Sequence, residues 1–204
     1  MGDELRSAWM RHAAARQRFQ ELAARSVPLP KLAEQARRLG LEVDRDLGQV
    51  SEAEMAYAVD LAIYTAPPGR SRAIDRIARQ HARLPGEAAL VLNALSRSWL
   101  SVFEVTSIHP DAGLLLEDAL LGGQVWVVDE GLAEAAEPGS IVAVRLGRVL
   151  GYAITTGVQA VLDEMTLAGL RDALRQGGLR PDDLLNEPRF AESLWRRALG
   201  FGPA

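Results

Sequence analysis

Between Glu4 and Ala24 the apolar positions Leu5, Trp9, Ala13, Phe19 and Leu22 recur at helical spacing, with arginines at 6, 11, 16, 18 and 25 among them. This pattern predicts an amphipathic helix. Pro28 and Pro30 interrupt it; Lys31 to Leu39 reads as a second helix, with Gly40 just past its C-terminal end. Ser51 is the expected N-cap and Glu54 the capping-box partner of a helix reaching about Tyr64, closed by Pro67-Pro68-Gly69. Ser71 to Arg83 is a further helical stretch, and Pro85 opens another through Leu95. At Leu100 the pattern changes. Val102-Phe103-Glu104-Val105 is rich in strand formers, and Pro110-Asp111-Ala112-Gly113 follows as a turn. Short strands are predicted at Leu114 to Glu117, Gln124 to Val128, Ile141 to Leu146 and Val149 to Thr156, separated by Gly122-Gly123, Pro138-Gly139 and Gly147-Arg148. After them Val158, Val161, Leu162, Met165, Leu170 and Leu174 predict a long helix ending at Gly177-Gly178. Pro181-Asp182-Asp183 and Pro188 introduce two short helical pieces, the second carrying Phe190, Leu194, Trp195 and Leu199.

The order of these elements predicts an α+β fold. A helical region spans 1–99, a small five-stranded antiparallel SH3-like or OB-like barrel 100–156, and a C-terminal helical region 157–204, with the alternative that all three pack as one compact unit. A segment of that size is too short for a sandwich, and rolling up removes its open edges. With 204 residues, 48% of them hydrophobic and 25% charged, the chain can bury a core of ordinary globular kind. The beginning, Met1-Gly2-Asp3-Glu4-Leu5-Arg6, carries early acids and no apolar run, so neither a secretory signal nor a membrane partner is expected, and the chain reads as cytoplasmic. There are no cysteines, which excludes disulfides, thiolate metal sites and a cysteine nucleophile.

Charge is segregated. Residues 1–100 hold 15 basic and 12 acidic side chains, whereas residues 101–162 hold 2 basic and 8 acidic ones. Barrels that bind nucleic acid need a cationic surface, so the acidic segment points toward a basic peptide or toward the basic helices of the same chain. The arginines Arg72, Arg76, Arg79 and Arg83 follow i, i+4, i+7, i+11 spacing and would share one helix face. Such a face could bind phosphate groups, an acidic peptide or another partner through bidentate guanidinium contacts, or be an ordinary solvated surface. Asp75 and Arg79 are spaced as an i, i+4 ion pair.

The three histidines, His12, His81 and His109, have no metal-ligand spacing, so no metal and no cofactor is expected; His81 could act as a neutral base or be a packed surface residue. Among the barrel's carboxylates Glu104, Glu117, Asp118, Asp129 and Glu130 are the candidates for paired acid chemistry, but neighbours in a strand point to opposite faces and so cannot share one substrate. Asp118 is placed to cap the loop Ala119 to Gly123. Phe103, Trp126 and Tyr152 could form an aromatic barrel surface for a base or peptide, or fill the barrel core.

The segments Asp60-Leu61-Ala62-Ile63-Tyr64, Gly69-Arg70-Ser71-Arg72-Ala73-Ile74-Asp75-Arg76, Ser101 to Val105 and Gly113 to Asp118 resemble a group of uncharacterised bacterial proteins related to SEC-C-motif-containing proteins. The resemblance covers about residues 55–156. Some of those proteins carry a zinc motif; its cysteines are absent here, so zinc-mediated partner binding does not carry over.

These features together lead to the expectation of a non-enzymatic interaction or adaptor protein with a protein partner, able to form a homo-oligomer. Two alternatives stand beside it: an RNA- or nucleotide-associated protein using Arg72, Arg76, Arg79 and Arg83, and a hydrolase whose site the sequence does not display.

Overall fold

The computed structural model describes residues 2–43, 50–177, 180, 183 and 187–201. Eight helices and five strands occur among them. The helices are α1 (Asp3–Arg25), α2 (Leu29–Arg38), α3 (Glu52–Tyr64), α4 (Ala73–Gln80), α5 (Gly86–Ser96), α6 (Glu130–Ala135), α7 (Glu164–Gly177) and α8 (Pro188–Ala198). The strands are β1 (Trp99–Ile108), β2 (Leu114–Asp118), β3 (Gln124–Val127), β4 (Ile141–Val149) and β5 (Tyr152–Leu162). The chain forms two compact units, Met1–Arg16 with Pro85–Glu187 and Gln17–Leu84 with Pro188–Ala204, so α1 contributes residues to both.

The first unit is built on a mixed sheet. Its strand order is β1-β2-β3-β5-β4, with β4 returning to β1, so every strand has two hydrogen-bonded neighbours and the sheet closes on itself. Closure follows from alternation. Val142, Val144 and Leu146 point into a core shared with Phe103, Val105, Leu114, Leu116, Val125 and Val127. The intervening Ala143, Arg145 and Gly147 are buried too, on the other face of β4, where α5 packs. The helix comes so close that a Cβ on Gly147 would stand 2.8 Å from the Ala94 carbonyl oxygen. Helix α6, capped by Asp129, sends Leu132 into the core.

Four sequence expectations change here. The sheet is not purely antiparallel: β3 and β5 run parallel at Val127 and Ala153, because the chain passes through α6 and β4 before β5 is laid beside β3. Gly147-Arg148 is not a turn but part of β4, since Gly147 serves the close approach of α5; the hairpin turns instead at Leu150-Gly151. Val158 to Leu162 is strand rather than helix, because pairing with β4 continues to Ile141–Leu162, and α7 begins only at Glu164 after Asp163 accepts from the Thr166 amide. Helix α6 occupies a stretch for which the hydrophobic pattern predicts no element. The expected helical piece at Pro181-Asp182 lies outside the described residues.

The second unit is helical. Helix α3 packs against α2, α4 and α8, and Phe19, Leu39, Leu61, Ile74 and Trp195 are fully buried. Ser51 and Glu54 form the reciprocal capping box of α3. Gly40, at φ +87°, ends α2: its amide donates to Arg37 and that of Leu41 to Ala36, both at 3.0 Å, the paired closure that a left-handed residue allows. The Trp195 indole N–H donates to the buried Asp60 carboxylate at 2.9 Å.

Candidate functional site

The sheet segment's carboxylates separate into buried ones that organise structure and exposed ones that form a surface. Asp118 is buried and accepts from the Ser101 hydroxyl at 2.7 Å, the Trp99 indole at 3.3 Å and the amides of Leu120 and Leu121 at 3.0 Å, which fixes the loop after β2 as the sequence implies. Its neighbour Glu117 is exposed on the opposite face, as strand alternation requires. There Glu117 stands directly across the β1–β2 ladder from Glu104, also exposed. Like charges directly opposite on a sheet are destabilising. Among the described residues no cation is within ion-pair distance of either. Of the two arginines in this segment, Arg145 is buried, and Arg148 is exposed with its guanidinium 5.1 Å from the centre of the Trp99 ring.

A second cluster ties the start of α1 to the same unit. Arg11 holds Glu87 of α5 through two bonds of 2.7 and 2.9 Å. This pairing holds the Glu87 carboxyl below its usual range and raises the Arg11 guanidinium further. One turn on, Arg16 donates to Asp129 and to the Thr155 carbonyl, each at 3.1 Å, while the Thr155 hydroxyl donates to the same Asp129 oxygen at 2.6 Å. The other Asp129 oxygen accepts from the Leu132 amide, so one carboxylate caps α6 and anchors α1. Arg6 approaches Glu130 at 4.0 Å. The basic helix thus meets some of the acids of the segment it precedes.

Between these pairs His12, only 1% exposed, places Nδ1 2.7 Å from the Tyr152 hydroxyl. Its Nε2 is buried and has no hydrogen-bond partner. Desolvation lowers the histidine's pKa, partly offset by Glu87 and reinforced by Arg11; desolvation raises that of Tyr152. Tyr152 packs against Trp126, which is also stacked on His109 at 4.0 Å and 12°. Trp126 and Tyr152 are therefore neighbours, but Phe103 is in the sheet core and does not join them. Sequence reading leaves His12 among scattered histidines, because its partner is 140 residues away and no local spacing marks the pair.

The arginine series is not one stripe. Helix α4 ends at Gln80, since Leu84 precedes Pro85 and the chain must leave helical geometry, so Arg83 lies beyond the helix and Arg72 is its N-cap. Arg72, not Arg79, pairs with Asp75, at 2.7 and 2.8 Å. Arg76 donates to the Ser71 carbonyl at 2.8 Å, and Arg79 and Arg83 are exposed. His81 sits at the helix end with Nδ1 3.0 Å from the Ile77 carbonyl oxygen and its ring edge-on to Phe19. Among the described residues no three His, Asp or Glu side chains converge as a metal would require, and no helix is long and apolar enough to cross a membrane.

These features define a mixed α/β protein with a closed five-stranded sheet and an acidic outer face. The chain belongs to a family of unknown function, DUF7986, matched over residues 15–176. No curated protein and no solved structure matches it.

Proposed function

We propose that the chain is a non-enzymatic interaction protein whose acidic sheet face receives a cationic segment of a partner protein. The carrying observation is the exposed pair Glu104 and Glu117, held opposite each other across β1 and β2. Their mutual repulsion falls when a cationic side chain comes between them, so partner binding gains what the free sheet lacks. The buried acids support the reading from the other side: Asp118 and Asp129 are saturated with structural bonds, which makes them scaffold rather than reacting groups. Kinship with SEC-C-motif proteins, a bacterial source, an SH3-like or OB-like sheet and a cytoplasmic location belong to the same reading.

The test is titration with a labelled oligoarginine peptide at low and raised salt. Binding that weakens with salt and falls several-fold in the Glu104→Gln/Glu117→Gln variant is the expected result. Equal affinity in the variant contradicts the proposal. A second reading, RNA or nucleotide binding through Arg72, Arg76, Arg79 and Arg83, is supported by the exposure of Arg79 and Arg83 beside one short helix.

A further inference from the structure

We propose that the first half of α1, residues 3–16, is a strap that protons release from the first unit, with His12 as its latch. The contacts of this half helix are of an unusual kind. His12 is its only fully buried residue among the described ones, and its other named attachments all run through arginines: Arg6 to Glu130, Arg11 to Glu87, and Arg16 to Asp129 and the Thr155 carbonyl. The apolar side chains Leu5, Trp9 and Ala13 are only half-buried. A helix held in this way depends on the one side chain that enters the interior.

That side chain can be held only while it is neutral. If the Tyr152 hydroxyl donates to Nδ1, Nε2 carries the proton; if Nδ1 donates to the Tyr152 oxygen, Nε2 is bare. The imidazolium carries a hydrogen on both nitrogens, so it can no longer accept from Tyr152 at Nδ1, presents an Nε2–H that has no acceptor, and buries a positive charge without access to water. The charged and titratable groups around it are Tyr152 from β5, Glu87 from α5 and Arg11 on α1 itself. Glu87 favours the imidazolium but is held by Arg11 through both oxygens, and Arg11 opposes it. Leaving the interior is the way His12 takes up a proton. Release uncovers Tyr152, whose ring packs against Trp126.

A histidine that titrates near about 6.5 when released, and not while latched, shifts the released-to-latched ratio roughly tenfold between about pH 7.5 and about pH 5.5. Amide hydrogen exchange of the full chain at those two values, corrected for the intrinsic pH dependence of exchange, reads this directly. Protection of residues 3–16 is expected to fall by about that factor while β1 and β4 keep theirs. The His109→Gln variant should behave like the parent and His12→Gln should lose the response. Unchanged protection at residues 3–16, an equal loss across the whole sheet, or a full response in His12→Gln overturns the proposal. Should His12→Gln fail to fold, the parent and His109→Gln comparison decides alone.

Discussion

The His12 imidazole and the Tyr152 hydroxyl meet at 2.7 Å in the interior of the first unit, 140 residues apart in the chain. Neither has another hydrogen bond of comparable quality to fall back on, since the histidine's second nitrogen is already without a partner. Tyr152→Phe leaves His12 buried with both nitrogens unsatisfied. A loss of about 1–3 kcal/mol is expected, the usual penalty for orphaning a buried polar group. Urea denaturation of parent and variant measures it; a change below about 0.5 kcal/mol would show that the bond contributes little.

Asp129 is the second joint. It caps α6, receives the Thr155 hydroxyl and pairs with Arg16, whose side chain is largely shielded. Asp129→Ala removes a cap and leaves a part-buried guanidinium without its carboxylate, and about 2–4 kcal/mol is expected to go. Asp129→Asn keeps a capping oxygen and should lose noticeably less. Equal losses in the two variants would mean that charge plays no part.

Backbone proximity sets a graded series among the glycines. On Gly113, at φ +72°, a Cβ would lie 2.0 Å from the Val127 carbonyl oxygen; on Gly147 it would lie 2.8 Å from that of Ala94; on Gly122, at φ +76°, it meets open space. Alanine is therefore expected to be most damaging at 113, where clash adds to conformation. At 147 the clash alone costs about 1–3 kcal/mol, and at 122 only the left-handed penalty of about 1–2 kcal/mol remains. Thermal midpoints of the three variants test the order.

Leu150 runs the other way. It is a non-glycine residue at φ +50°, 76% exposed at the tip of the β4–β5 hairpin, so its side chain gains nothing from packing while its backbone adopts a conformation that suits Asn or Gly. Leu150→Asn is expected to stabilise by about 0.5–1 kcal/mol. A lowered melting temperature would contradict this.

Acid acts on a further tether. Pairing with Arg11 depresses the folded-state pKa of Glu87, so its contribution is present above the unfolded value of about 4.3 and is lost as pH falls through the folded one. This window lies below that of His12. Glu87→Gln should therefore remove this tether's share of the acid sensitivity below about pH 4.3, leaving that of the Arg6–Glu130 and Arg16–Asp129 pairs and the change between about pH 7.5 and about pH 5.5 in place. Loss of both in one variant would show a single coupled transition.

Local chemistry was legible in the sequence wherever it is local in the structure. Ser51 with Glu54, Gly40 after α2, and Asp118 within its loop act over two to five residues and carry recognisable signatures. Gly147 deceived because a glycine demanded by a neighbouring helix looks the same as one demanded by a turn. Val158 to Leu162 deceived because a short apolar run fits either period, and pairing with β4 decides it. The parallel contact of β3 with β5 and the His12–Tyr152 and Arg16–Asp129 pairs all depend on partners far along the chain. No window of sequence contains them.

The sharpest discrimination comes from one protein preparation titrated, at a single low salt concentration, against labelled oligoarginine and labelled oligouridylate, with fluorescence anisotropy as the readout. Binding of oligoarginine, abolished by Glu104→Lys/Glu117→Lys and accompanied by no binding of oligouridylate, is what an acidic interaction face requires. Binding of oligouridylate alone, lost on charge reversal of Arg79 and Arg83, would contradict it and move function to the other unit.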